Sequence, residues 1–128
     1  MAKTSQRKND KKTVGCPVET TIYAIGGRWK VLVIHYLLDG AKRFGELSRL
    51  LQGISARTLT RQLRELEASG IINRYVHQQI PPKVEYSLTP LGLKLKPILF
   101  AMHDWAEEFE KLRPPPKRRS NVQNPATR

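Results

Sequence analysis

The chain is poor in acidic residues and has no long apolar run. It contains 11 Asp and Glu against 23 Lys and Arg, so its formal net charge is +12. A surface this basic argues against an acidic-surface enzyme and favours polyanionic partners, nucleic acid first and an anionic membrane second. No apolar stretch approaches the roughly 20 residues that span a membrane, so we expect no membrane-spanning segment. Of the two polyanions we predict nucleic acid, and not a membrane, as the partner.

Cysteine is nearly absent, since Cys16 is the one thiol of the 128 residues. A single cysteine excludes an intrachain disulfide framework and favours a reducing compartment. The first residues are basic, but no apolar segment follows them, so no secretory signal is expected. We therefore predict a cytoplasmic protein associated with the nucleoid.

Catalytic and metal-binding motifs are missing as well. The sequence has no Walker-type loop and no GxGxxG, GxSxG or HExxH pattern. His35, His77 and His103 fall on different predicted elements, and we see no carboxylate or cysteine partner for them at ligand spacing. We predict no metal site, no cofactor and no catalytic residues, and hence no enzyme.

Positive charge is concentrated at the two ends. Residues 1–15 hold five Lys or Arg and one Asp, and residues 113–128 hold five Lys or Arg and no acid. Neither end has apolar periodicity, and four prolines exclude a helix in the second. We predict a disordered basic arm over 1–15, a folded domain over 16–112 and a disordered Pro-rich tail over 113–128. The ends either attract phosphates without sequence preference or only aid solubility.

Apolar residues at helical spacing predict four helices before Gly70. The first begins at Pro17 and ends at Gly26-Gly27, and a tight turn at Gln52-Gly53-Ile54 separates the third from the fourth. The fourth begins at Ser55, a good N-cap, and ends at Gly70. The four are predicted over about residues 17–26, 28–38, 44–51 and 55–70.

The pattern changes to alternation after Gly70. Residues 72–77 and 84–88 alternate around a loop with two prolines, which predicts a β-hairpin with one face against the helices. Thr89-Pro90 predicts the start of a last helix that runs to about Leu112, kinked or restarted at Pro97. The fold class is therefore mainly α with a small antiparallel β-hairpin (α+β), in the winged helix-turn-helix arrangement.

The fourth helix has two opposite stripes. At about 100° per residue, Arg57, Arg61 and Arg64 fall on one side, and three leucines (Leu59, Leu63 and Leu66) fall on the other. The leucines would anchor the helix, and the arginines would face outwards, where their forked heads suit phosphates and the guanine edge. Thr58 and Thr60 are candidate contacts to phosphate or a thymine methyl.

Two interpretations of this helix stay open. The simpler one is a solvated basic face, in which Glu65 and Glu67 pair with some of the arginines. The preceding turn and the following hairpin favour a helix that enters the major groove of double-stranded DNA. Ser55 either only caps the helix or also holds a phosphate.

Two further residues are weaker candidates for DNA contacts. Arg43, before the third helix, is a candidate for a phosphate contact. Lys83 flanks the stiff hairpin loop and is a candidate for a backbone or minor-groove contact. The alternative for the loop is a plain exposed turn.

Residues 16–110 resemble the HxlR family of bacterial transcriptional regulators, relatives of the MarR type. The most specific segments are Cys16-Pro17, Gly26-Gly27-Arg28-Trp29, Arg43-Phe44-Gly45-Glu46-Leu47, Ile54-Ser55, Leu63-Arg64-Glu65-Leu66-Glu67 and Pro82-Lys83-Val84-Glu85-Tyr86-Ser87-Leu88-Thr89.

The resemblance implies a homodimer formed through the first and last helices and bound to a pseudo-palindromic operator. It also implies that Cys16 is a candidate sensor of oxidants or electrophiles, as the matching cysteine is in some members. A helix N-terminus at Pro17 would favour the thiolate, while Glu19 would oppose it. The alternative is a small structural residue buried at the dimer interface.

Four aromatic residues could line a pocket for a small effector between subunits, namely Trp29, Tyr36, Phe100 and Trp105. Core packing explains the same residues.

The sequence thus predicts a sequence-specific DNA-binding transcriptional regulator that acts as a homodimeric repressor, responsive to redox signals or to a small molecule. One alternative is a non-specific nucleic-acid binder driven by the basic ends. The other is a winged-helix protein–protein interaction module, which the three arginines of the fourth helix argue against.

Overall fold

The computed structural model describes residues 15–113 and divides the chain into two compact units at the bond between Lys96 and Pro97. The predicted arm and tail lie outside the described residues, apart from Gly15 and Arg113. The elements of the first unit are α1 (Pro17–Ile25), α2 (Trp29–Leu37), β1 (Lys42–Arg43), α3 (Phe44–Leu50), α4 (Ala56–Ala68), β2 (Ile72–His77), β3 (Lys83–Leu88) and α5 (Pro90–Leu93), and α6 (Lys96–Leu112) follows.

The helices begin and end close to the predicted residues, for the predicted reasons. Pro17 is the first residue of α1, where its missing N–H costs no hydrogen bond. Ser55 caps α4, and Gly70, with φ +78°, follows its end in a conformation that favours glycine. Local chemistry therefore determines where these helices stop.

Helices α3 and α4 form a helix-turn-helix. Gly53 turns the chain between them with φ +92°. The leucines of α4 that were predicted to anchor the helix are buried. The apolar core of the first unit consists of Ile25, Val33, Ile34, Leu37, Leu47, Leu51, Leu59, Leu63, Leu66, Ile71, Ile72 and Tyr86.

The predicted hairpin is part of a larger sheet. Strands β2 and β3 pair antiparallel from Ile72 opposite Leu88 to His77 opposite Lys83. The short strand β1 adds to the other edge of β3, giving the order β1-β3-β2. Two residues are too few to show an alternating pattern, which is why the sequence did not indicate β1.

The hairpin packs on the helices as predicted, but β2 is buried only at its start. Ile72 is buried, but the next four residues of the strand are exposed, including Arg74 and Val76. The strand pair continues beyond its buried start, so its outer part and the loop over residues 78–82 form a wing.

The last predicted helix is two helices. Thr89 caps α5, and Pro97 is the second residue of α6, where proline fits an α-helix. Helix α6 belongs to the second unit from Pro97 onwards and exposes a series of large apolar side chains. These side chains are Ile98, Phe100, Met102, Trp105, Phe109 and Leu112.

Among the described residues, no helix combines the length and apolar character required to cross a membrane.

Candidate nucleic-acid interface

Helix α4 is fixed at its N-terminus by Ser55. The Ser55 Oγ accepts a hydrogen bond from the Thr58 backbone N–H at 3.0 Å, and its own proton is donated to the Thr58 Oγ1, also at 3.0 Å. These bonds satisfy one of the four N–H groups that a helix leaves open at its start. The capping role predicted for Ser55 is therefore present, and Ser55 already donates its proton within the chain.

The arginine stripe of α4, which we define as Arg57, Arg61 and Arg64, is exposed. None of the three makes a hydrogen bond or ion pair with another described residue. With Ala56 and Thr60 they line an open groove of about 590 Å³. An arginine with no partner carries five free donors in a planar fork, so this face can bind phosphates or base edges.

The acidic residues of α4 do not neutralise the stripe. Glu65 forms an ion pair with Lys30 of α2, with Oε1 and Nζ 2.8 Å apart. The hydrogen bond and charge of Lys30 hold the pKa of Glu65 below its ordinary value, and the charge of Arg61 adds to this effect. The alternative in which Glu65 pairs with an arginine of its own helix is not what the structure shows, because Glu65 pairs with a lysine of another helix.

The two candidate threonines are half-buried. Thr58 accepts the Ser55 hydroxyl proton, which leaves its own proton free to donate. Thr60 lines the groove beside the arginine stripe. Both positions stay predicted DNA contacts.

The candidates outside α4 lie on the sheet. Arg43 is exposed at the end of β1, where its backbone N–H donates to Glu46 at 2.8 Å and leaves the guanidinium available. Lys83 is the first residue of β3 rather than a loop residue, because it pairs with His77. Its Nζ lies 3.6 Å from Glu85, so part of its charge is already compensated.

Two of the three histidines, His77 and His103, do have carboxylate neighbours, contrary to the sequence-based expectation. His77 Nε2 lies 2.8 Å from Glu85 across the strand pair, a contact that sequence spacing alone cannot show. This hydrogen bond is the main reason that the pKa of Glu85 lies below its ordinary value. On α6, exposed His103 lies 3.4 Å from Asp104 and 3.6 Å from Glu107. The spacing of His103 and Glu107, i to i+4, places both on one face of a helix and is visible in the sequence.

Cys16 is exposed at the N-cap of α1 and makes no side-chain capping bond. The alternative role, a small residue buried at the dimer interface, concerns two chains and stays open. A partner subunit could still cover it.

The four aromatic residues of the predicted effector pocket fall in both units. Trp29 and Tyr36 are half-buried on α2, where the Arg28 guanidinium lies 4.3 Å from the Trp29 ring and His35 contacts Tyr36 edge-on. Phe100 and Trp105 are exposed on α6. The two cavities beside α4 are lined by other residues, and the effector pocket stays a prediction.

Two basic residues near α4 escaped the sequence analysis. Lys30 orients Glu65 from 35 positions away in the chain, so no local pattern could indicate it. Arg74 lies opposite Tyr86 in the sheet and lines a cavity together with Arg64. In the sequence, Arg74 lies between Ile72 and Val76 in the alternating segment. That position did not show whether its side chain contacts α4 or only solvent.

Comparison with known proteins agrees with this geometry. A family model described as HxlR-like helix-turn-helix matches residues 24–113. The HTH-type transcriptional regulator YdeP of Bacillus subtilis (strain 168) is 53% identical over 96 residues, which cover 75% of this chain and 75% of YdeP.

Two solved structures extend the likeness to three dimensions. The redox regulator HypR in its oxidized form has a TM-score of 0.69 and 53% identity, and the match covers 73% of this chain and 96% of HypR. The reduced form of the B. subtilis transcriptional regulator YodB has a TM-score of 0.68 and 39% identity over 75% of this chain and 95% of YodB.

These relatives are regulators and not enzymes, which confirms the expectation that this chain is not an enzyme. The winged helix-turn-helix fold and the resemblance found in the sequence are likewise confirmed: the chain belongs to the HxlR-like helix-turn-helix family and is a transcriptional regulator of the helix-turn-helix type.

Proposed function

We propose that this regulator binds a specific DNA sequence by inserting α4 into the major groove. The observation that carries the proposal is the arginine stripe, which is exposed on the side of α4 opposite its buried leucines and makes no ion pair or hydrogen bond with a residue of the described part, 15–113. Guanidinium groups without protein partners can form bidentate bonds to guanine O6 and N7 or bind phosphates. Arg43, Ser55, Thr58, Thr60 and Lys83 are the supporting contacts.

The proposed working unit is a homodimer on a pseudo-palindromic operator. Helix α1 exposes Val18, Ile22 and Tyr23, and α6 exposes its own apolar series, so each helix offers surface for a second copy. Two copies of α4 would then read half-sites about 34–36 Å apart. We propose that such a dimer represses transcription when it occupies a promoter. The proposed location of the protein is the cytoplasm.

A fluorescence-anisotropy titration tests the proposal. The reduced protein is titrated against duplex DNA from immediately upstream of its own gene and against a scrambled duplex, at near-physiological salt. We expect a preference of about a hundredfold or more for the first duplex, within the range of specific regulators, with two chains per site. Equal and steeply salt-dependent binding to both duplexes would contradict sequence-specific recognition of that duplex and favour the non-specific alternative.

We further propose that oxidation of Cys16 controls DNA binding. The thiol is exposed at the start of α1, and the similar structure of HypR is that of a redox regulator in its oxidized form. Because the chain has no second cysteine, a disulfide must join two subunits or one subunit and a small thiol. With diamide, two Cys16 thiols lose two protons and two electrons, which diamide takes up as it becomes the hydrazine.

The Cys16→Ser variant separates this proposal from DNA recognition. We expect Cys16→Ser to bind DNA like the wild type but to show no change of affinity after diamide, whereas the wild type changes and forms a disulfide-linked dimer in a non-reducing gel. An unchanged affinity of the diamide-treated wild type would contradict redox control and leave DNA recognition intact.

A further inference from the structure

Glu65 lies at the edge of the arginine stripe, one helical turn after Arg61. Residues four positions apart on an α-helix differ in direction by about 40°, so Glu65 and Arg61 share one side of α4. Opposite charges at this spacing form ion pairs on the surfaces of helices. Glu65 is therefore a carboxylate that could occupy a guanidinium which the proposed function requires to be free.

The fold gives this carboxylate a different partner. Lys30, on α2, places its Nζ 2.8 Å from the Glu65 Oε1, while Arg61 forms no ion pair or hydrogen bond with another residue of 15–113. The Lys30 side chain is 19% exposed and that of Glu65 is 47% exposed, so the lysine is partly shielded from water. Because α2 packs against α4, the ammonium group stays beside Glu65.

Lys30 and Arg61 compete for the same carboxylate. The hydrogen bond and charge of Lys30 lower the pKa of Glu65 most, and the charge of Arg61 lowers it further, so the guanidinium is close enough to act on Glu65. Among the described residues these are the two cations with an effect on this carboxyl group. Removal of Lys30 would therefore leave Arg61 as the cation with which Glu65 can pair.

We propose that Lys30 is a positioning residue for DNA binding, which keeps the Glu65 carboxylate away from Arg61. With Lys30 in place, the guanidinium donors of Arg61 line the groove and are available to DNA. Without Lys30, Glu65 pairs with Arg61, and DNA must break that ion pair before it binds the guanidinium. The effect on DNA rests on the proposed function, whereas the pairing of Glu65 does not.

A simple loss of positive charge is the alternative explanation for an effect of Lys30 on DNA affinity. It predicts that Lys30→Met weakens binding equally with and without Arg61, because independent sites have additive effects. It also predicts that removal of any nearby carboxylate compensates for the loss. The proposed role requires Arg61 and Glu65 in particular, so variants of these two residues separate the explanations.

The pairing is tested first, by NMR on the DNA-free full-length protein. We expect Lys30→Met to shift the Arg61 Nε–H resonance and to slow its exchange with water. The additional change Glu65→Gln should return both to wild-type values, and Lys30→Arg, which keeps a cation, should not move them. An Arg61 resonance that is the same in wild type and Lys30→Met would overturn the proposal. Lys30→Gln takes the place of Lys30→Met if the latter does not fold.

DNA affinity is measured next, by anisotropy with the preferred duplex at fixed salt. We expect Lys30→Met to weaken binding about two- to fivefold, which corresponds to the free energy of an exposed ion pair. The additional change Glu65→Gln should restore the wild-type affinity. Glu67→Gln, which removes another carboxylate of α4, is the matched control and should have the same effect with and without Lys30→Met. Equal restoration by Glu67→Gln and Glu65→Gln would overturn the proposal in favour of net charge.

The background of Arg61→Ala shows whether Lys30 acts through Arg61. We expect Lys30→Met to have no further effect on DNA affinity in that background. An equal loss with and without Arg61 would contradict the proposed role. If Glu65 moves to Arg61 while DNA affinity stays constant, the role in DNA binding is likewise contradicted. If the wild type prefers no duplex, the proposed function fails, while the NMR result still decides which cation holds Glu65.

Discussion

Ser55 stabilises α4 through its side chain, and this contribution can be separated from any contact with DNA. Its Oγ accepts the Thr58 N–H at 3.0 Å. We predict that Ser55→Ala lowers the free energy of unfolding by about 1 kcal/mol, the usual value of a lost N-cap. Urea unfolding measures the change, and Ser55→Asn, which keeps an acceptor, is the control. Equal stability of Ser55→Ala and wild type would contradict the capping role.

Glu65 gives the protein a defined response to acid. Because Lys30 depresses the pKa of Glu65 in the folded state, the folded state binds a proton at this group less readily than the unfolded state does. The ion pair therefore adds stability at pH values above the ordinary glutamate pKa of 4.5, and this stability is lost as the pH falls through the lower folded-state pKa.

We predict that wild-type stability falls more steeply below about pH 4.5 than that of Glu65→Gln. Chemical unfolding at a series of pH values measures the two slopes. Glu67→Gln, which removes a carboxylate of the same helix without an ion-pair partner among the described residues, should keep the wild-type slope. Identical slopes for all three proteins would show that the ion pair of Glu65 with Lys30 does not contribute to the pH dependence of stability.

The sequence predicts the role of a single residue when its partners lie nearby in the chain. The cap at Ser55 and the buried and exposed stripes of α4 depend on neighbours within a few positions, and helical periodicity indicates them. The pairs Lys30–Glu65 and His77–Glu85 depend on packing or strand register. No spacing rule connects such residues before the fold is known.

Helix α5 is held very close to the end of α4. The Thr89 hydroxyl lies 2.7 Å from the Gly70 carbonyl oxygen, and it accepts the Gly92 N–H at 3.0 Å. A Cβ on Gly92 would overlap the carbonyl oxygen of Ile71, so a side chain fits here only if the backbone shifts.

We predict that Gly92→Ala destabilises the protein by about 1–3 kcal/mol, because α5 must move away from the backbone of Ile71. Gly45→Ala is the matched control. At that position in α3 the nearest atom to an added Cβ is an Arg49 nitrogen at 3.7 Å, so alanine should be neutral or stabilise by about 0.5 kcal/mol. Thermal unfolding of both variants measures the difference, and a wild-type melting temperature for Gly92→Ala would contradict the close approach.

The order of elements was predictable because helical and alternating patterns follow one another clearly along the chain. Strand β1 was not, since Lys42 and Arg43 pair with β3 through backbone groups that carry no side-chain signal. The sequence predicted the division of the last helix only in part. Pro97 indicated either a kink or a new helix, and the structure shows a new helix that begins at Lys96.

Exposed apolar residues on α6 predict that the whole molecule self-associates. Trp105 is 65% exposed and stacks on Phe109 with ring centroids 4.9 Å apart. Exposed aromatic pairs of this kind are typical of interfaces rather than of free surfaces. The sequence indicated the helix and its aromatic residues, but a single chain cannot show which partner covers them.

We predict that the wild type sediments with twice the chain mass of 14.7 kDa. Trp105→Arg should shift the protein towards the monomer, because a charge replaces an apolar contact, and weaken dimerisation by about tenfold or more. Glu108→Arg is the control at an exposed polar position of the same helix. Analytical ultracentrifugation over a concentration series measures both variants, and a monomeric wild type would contradict the dimer.

We propose that the arginine stripe of α4 recognises bases and does not merely attract phosphates. The most direct measurement is the ratio of anisotropy dissociation constants for the preferred and the scrambled duplex, compared between wild type and Arg61→Ala at fixed salt. If Arg61 contacts a guanine edge, the variant loses about 1–3 kcal/mol of discrimination, and the ratio falls by about 5- to 150-fold. An unchanged ratio, with both duplexes weakened equally, would contradict base recognition by Arg61 and reduce its role to phosphate binding.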